Sequence, residues 1–198
     1  MTRVTSKFPT DKKYNVIYAD PPWQYGSKAY QLGKAITNNY RKGKSMEHYM
    51  QTMTIKDIKA LPVKDICEKD AVCFMWCTDS HLKEGIEVLE AWGFNIAFNW
   101  IKYYESGTPC VNVAPWTLKS WEICLLGVKG SMIKEKKNNS IMGLIKTVRR
   151  EHARKPDEVR NAINKMFGHL PKIELFARNH TPSWDVWGDE TDKYDEDK

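Results

Sequence analysis

The sequence lacks any apolar run near the roughly 20 residues that a membrane-spanning helix needs. Its first thirteen residues hold no apolar stretch of the kind that marks a secretory signal. These absences exclude an integral membrane helix protein and lead us to expect a cytoplasmic one. The five cysteines form an odd set with no C-x-x-C pair, and the five histidines are scattered. A structural zinc site needs clustered ligands, so we expect no metal. Cys73, Cys77 and Cys124 lie in apolar runs and read as reduced core thiols.

Charge of one sign is not in short supply: 31 Lys and Arg stand against 25 Asp and Glu, giving +6. That is a mild bias toward polyanions, and alone it fits a nucleic-acid binder or a merely basic protein equally well. With 41% hydrophobic and 28% charged residues, the chain is neither disordered nor collagenous. Its 198 residues suit one α/β domain, read here as 1–190 followed by a fraying charged tail at 191–198.

Short unbroken apolar runs at 16–19, 71–77, 123–128 and 173–177, with a fifth near 96–101, predict strands covered on both faces. Helical patterns lie between them at 54–60, 81–92 and 155–167. The second ends at Gly93 and the third at Gly168, with Pro156 just inside its start. Strands alternating with helices predict a doubly wound, mostly parallel, Rossmann-like α/β sheet. Two segments break this pattern: a polar basic loop at 24–48, read as a mobile substrate loop or a simple insertion, and a basic loop at 129–145.

The 16–19 strand runs directly into Asp20-Pro21-Pro22-Trp23. Ligands of open α/β sheets bind beyond the carboxyl ends of strands, where this tetrad falls. Two prolines stiffen the backbone and remove two donors, so the Pro21 carbonyl is expected to face a ligand without a competing neighbour. Asp20 adds a charged acceptor, and Trp23 is expected to offer a flat apolar face. Such a slot grips an –NH₂ on a flat ring. Two acceptors on its hydrogens favour a pyramidal nitrogen with a localised lone pair, ready to attack a methyl electrophile in line.

The tetrad resembles that of S-adenosylmethionine-dependent amino-methyltransferases, and more specifically of the MT-A70 family. The likeness extends through His48-Tyr49, Phe74-Met75-Trp76-Cys77-Thr78, and Glu122-Ile123-Cys124-Leu125-Leu126-Gly127-Val128-Lys129-Gly130. It continues through Lys155-Pro156-Asp157-Glu158, Lys172-Ile173-Glu174-Leu175-Phe176-Ala177-Arg178 and Trp184-Asp185-Val186-Trp187-Gly188-Asp189-Glu190. The resemblance implies a class I methyltransferase in circularly permuted order, with the catalytic strand before the cofactor strand. The lack of a G-x-G-x-x-G loop agrees with that order. It also implies an S-adenosylmethionine cofactor, with Asp20 and the Pro21 backbone holding the target amine. Asp20 would lie near the methionine amino group and Lys155 would pair with the methionine carboxylate. Arg178 and His180 would contact the ribose side, and Asp189 and Glu190 the adenosine end. Asp189 and Glu190 replace amides of the mammalian pattern, but carboxylates accept ribose hydroxyls well.

Other candidates come from position. Tyr49, after the mobile loop, either closes over the target base or packs that loop. Glu122 is a candidate for the base pocket. Arg149, Arg150 and Arg154 form, with Lys146, the densest basic cluster, either gripping phosphate or standing as a solvated face. A duplex substrate would have to flip its adenine toward Asp20, with Trp23 and Tyr49 as candidate aromatic walls. The expected activity is transfer to the 6-amino group of adenine in nucleic acid. DNA is favoured because no zinc finger or long helical addition accompanies the domain and it resembles the phage and bacterial branch. RNA adenosine methylation, cytosine 4-amino methylation and a non-catalytic nucleic-acid-binding partner subunit are the alternatives. A homodimer or a paralogous partner is compatible with so small a footprint.

Overall fold

The computed structural model describes residues 7–24, 52–104, 121–148 and 154–193, with backbone alone for 98–104. Most of the 24–48 loop, Tyr49, Arg149, Arg150 and 194–198 lie outside the described residues.

Among the described residues, seven strands form one sheet in the order β5-β3-β4-β2-β1-β6-β7. They are β1 (Tyr14–Ala19), β2 (Cys67–Cys77), β3 (Asn95–Tyr104), β4 (Trp121–Lys129), β5 (Leu144–Thr147), β6 (Lys172–Leu175) and β7 (Asp185–Trp187). β4 is antiparallel to both neighbours, and every other pairing is parallel. The mostly parallel sheet is as expected. The antiparallel strand was not foreseen, because a strand buried on both faces reads as the same apolar run in either direction.

Alternate residues of the strands feed two cores. Ile17, Ala19, Cys73, Met75, Ile123, Leu125, Ile173 and Leu175 pack on one face with Ile58, Val88, Leu89, Trp92 and Phe94. Val16, Tyr18, Phe74, Trp76 and Cys124 pack on the other with Val159, Ile163, Met166 and Phe167. The first face is covered by α1 (Ile55–Lys59), α2 (Val63–Ile66) and α3 (Leu82–Ala91), the second by α4 (Asp157–Phe167). Thr54 caps α1, its hydroxyl accepting from the Asp57 N–H at 3.1 Å. Gly93 ends α3 at φ +87°, as a glycine stop requires. In β4 a side chain cannot replace Gly127: an added Cβ would lie 2.7 Å from Phe94 Cβ.

Several boundaries differ from expectation. Pro156 is the residue before α4, in extended geometry at ψ 132°, so the helix starts at Asp157. The span 129–145 is not all loop: Met132–Glu135 forms a 3-10 turn with Met132 buried, and β5 begins at Leu144. β7 and α2, of three and four residues, are too short to show a period in the sequence. No helix of the described residues is long and apolar enough to cross a membrane.

The candidate cofactor and methyl-transfer site

β1 and β6 are parallel neighbours whose chain connections leave in opposite directions, toward β2 on one side and β7 on the other. This is a topological switch point, where an α/β sheet opens a crevice. A cleft of about 310 Å³, its solvent-facing mouth included, lies there. It is lined by Asp20, Arg154, Lys155, Arg160, Glu174, Phe176, Arg178 and Asn179.

Asp20 directly follows β1, and Lys155 comes from the turn before α4. The Lys155 ammonium lies 3.2 Å from Asp20 Oδ1 and 2.8 Å from Glu122 Oε2. Glu122 reaches this end because β4 runs against β2, so its second residue stands where the parallel strands finish. Beneath the ammonium, 5.3 Å away, is the Trp76 ring. Burial would lower the Lys155 pKa, but Asp20 and Glu122 outweigh it and hold it well above the usual lysine range.

A second cation stands one turn further along. Arg160 donates twice to Glu174 Oε2, at 2.8 and 3.0 Å, and once to Oε1 at 3.0 Å. Its third nitrogen reaches Asp157 at 3.1 Å. These side chains are only 9% and 11% exposed. Burial pushes the Glu174 carboxyl above its ordinary range, against the pull of Arg160. The two cations share a floor: Arg160 lies over the Tyr18 ring, and the Trp76 Nε1–H donates to the Tyr18 hydroxyl at 2.7 Å.

The tetrad is arranged differently from expectation in two respects. The Trp23 ring is 6% exposed, donates through Nε1 to the Trp76 carbonyl at 3.0 Å and packs on His81. It is an internal strut, and offers no free face for stacking a base. The Pro21 carbonyl accepts from the Trp23 N–H at 2.9 Å, so one of its two lone pairs is engaged. The Pro22 carbonyl accepts from the Met53 N–H at 2.8 Å, which ties the tetrad to the start of α1.

The remaining candidates divide. Arg178 faces the cleft, with Nε 3.9 Å from Glu190 Oε2, so these two come together. Asp189 is exposed. His180 is 60% exposed, points to Asp192 at 3.3 Å, and does not line the cleft. Following a buried strand did not aim it inward, because the chain has already turned to the surface. Arg154 lines the cleft with its guanidinium 3.4 Å from Asp157, so it is not a solvated face. Sequence reasoning missed Arg160 and Glu174. Their signal was a lone carboxylate inside an apolar strand, which needs a cation wherever it is buried.

A doubly wound sheet with one reversed strand, opening at its switch point onto a charged cleft, is a Rossmann-like arrangement. Residues 14–190 match the MT-A70 family, and the chain belongs to it. It is 35% identical over 187 residues to the Type II methyltransferase M.MunI of a Mycoplasma species, covering 89% of this chain and 77% of that protein. It is 29% identical to the N(6)-adenosine-methyltransferase MT-A70-like protein of Arabidopsis thaliana, over 84% of this chain but 22% of that one. It is 27% identical to the N6-methyladenosine RNA methyltransferase MTA1 of Pyricularia oryzae, over 89% of this chain and 46% of that one.

Proposed function

We propose that the protein methylates the exocyclic 6-amino group of adenine in nucleic acid, with DNA as its substrate. The observation that carries this reading is Asp20, fixed beyond the end of β1 and facing a cleft shared with Lys155 and Arg178. The donor set fits the cofactor: cations for a methionine carboxylate, and Asp20 for the neighbouring ammonium. When bound, S-adenosylmethionine supplies a methyl group on a positively charged sulfur.

The chain's own residues do the rest. Lys155 is held ionised by Asp20 and Glu122, so it meets a carboxylate fully charged. Arg178, with Glu190 beside it, lines the cleft and would hold the ribose of the cofactor. Asp20 and the free lone pair of the Pro21 carbonyl accept from the two amine hydrogens, which pyramidalises the nitrogen and aims its lone pair. After transfer the nitrogen is cationic, and one of its two hydrogen-bonded hydrogens leaves it as a proton to water. The DNA assignment leans on the likeness to the bacterial Type II methyltransferase, which spans most of that protein's length. RNA is the second reading, since relatives named for adenosine and for RNA also match.

Incubation with labelled S-adenosylmethionine and single- or double-stranded DNA or RNA, followed by nucleoside mass spectrometry, tests this directly. Methylated deoxyadenosine is the expected product. Methylated adenosine alone would move the assignment to RNA, and label on cytosine or on no base would overturn it.

A further inference from the structure

The Trp23 ring lies against the imidazole of His81, with centroids 5.6 Å apart and planes 23° from parallel. His81 is 7% exposed and immediately precedes α3. Its Nε2 lies 3.2 Å from the Gln24 carbonyl oxygen. A carbonyl can only accept, so Nε2 carries the hydrogen. Nδ1 lies 3.0 Å from the Thr78 hydroxyl, and in the neutral ring it accepts from that group. The His81 backbone N–H donates to the Thr78 carbonyl at 2.9 Å, so the ring is oriented by its own turn.

Pro21 and Pro22 stand between these contacts and Asp20. Proline rings fix φ, so a displacement at Trp23 or Gln24 is passed along to Asp20 with little absorbed on the way. We propose that His81 is a positioning residue for methyl transfer. It clamps the Trp23 ring and the Gln24 carbonyl, and so sets where Asp20 and the Pro21 carbonyl stand. This inference rests on the reading of Asp20 as the group that holds the amine.

His81→Phe keeps a ring over Trp23 and removes the donor to Gln24. His81→Gln keeps an N–H and removes the stack. Lys83→Ala, an exposed position on α3, is the control. The readouts are kcat, cofactor affinity by calorimetry, and amide exchange at Trp23 and Met53, whose N–H groups donate to the Pro21 and Pro22 carbonyls. His81→Phe should lower kcat roughly tenfold to a hundredfold, the scale of a small misplacement. Cofactor affinity should stay at the wild-type value, exchange at both amides should quicken, and His81→Gln should recover part of the rate. Wild-type exchange in His81→Phe would overturn the clamp. Faster exchange with unchanged kcat, or loss of cofactor affinity in step with rate, would overturn its bearing on transfer. The exchange measurement needs no activity, so a wild-type protein that methylates nothing would fail the proposed function while the clamp is still decided.

Discussion

Lys155 and Arg160 are cations at the same end of α4, the first half-buried and the second buried, and they are satisfied in different ways. Arg160 meets Glu174 through a planar fork, with three contacts between 2.8 and 3.0 Å. Such a geometry suits one carboxylate and no substitute. Lys155 is a point charge between two carboxylates carried by different strands, Asp20 after β1 and Glu122 on β4. An ammonium imposes no fork, so a ligand carboxylate can replace one partner at little geometric cost. Arg160 therefore locks α4 to β6, whereas Lys155, on the proposed reading, exchanges a partner for the carboxylate of the cofactor.

The largest effect belongs to Asp20. Asp20→Ala should cut methyl transfer by at least about a thousandfold, because on the proposed reading it removes an acceptor for the reacting amine. Thermal stability should barely move, since the side chain lies past the strand and outside both cores. A variant that still turns over would remove Asp20 from the chemistry. Arg160→Met should destabilise the fold by about 3–5 kcal/mol in urea titration, because Glu174 is left buried without its partner. Adding Glu174→Leu should recover most of that loss. Lys155→Met should do the converse: a smaller stability loss, and cofactor binding weakened by about 1.5–3 kcal/mol, the worth of a charged hydrogen bond. If Lys155→Met proved the more destabilising of the two, the contrast would be reversed.

The smallest effect comes from a third ion pair, at the opposite end of the sheet, where Asp185 accepts from Lys12 and from the Tyr14 hydroxyl. Burial would raise the Asp185 pKa, but the bonds from Lys12 and Tyr14 more than offset it, and the net shift is downward. The folded carboxyl therefore binds its proton more weakly than the unfolded one. Its contribution is complete above the unfolded value of 3.8 and is lost as pH falls through the lower folded value. The Asp185 side chain is 44% exposed, so solvent screening keeps the contribution below about 1 kcal/mol. Asp185→Asn should flatten that part of an acid titration of stability and leave cofactor binding untouched.

The parts legible in the sequence were those set by local rules. Apolar runs placed five of the strands, and Gly93 marked the end of α3. The tetrad located Asp20 at a strand's carboxyl end, where the cleft is found. What stayed hidden depends on partners far along the chain. The burial of Trp23 is decided by the carbonyl of Trp76, 53 residues on. The Arg160–Glu174 pair joins a helix to the following strand, and only packing shows that Glu174 is buried. Glu122 joins Asp20 only because β4 is reversed, a direction that no apolar pattern records.

That reversal has a consequence for how such a protein can diversify. Tyr103 pairs with Trp121, so β3 finishes and β4 starts on the same rim that Gln24 leaves and Met53 rejoins. Four anchor points therefore stand on one side of the sheet. Residues between those anchors can be exchanged without disturbing the register of the strands, much as a drill takes different bits in one chuck.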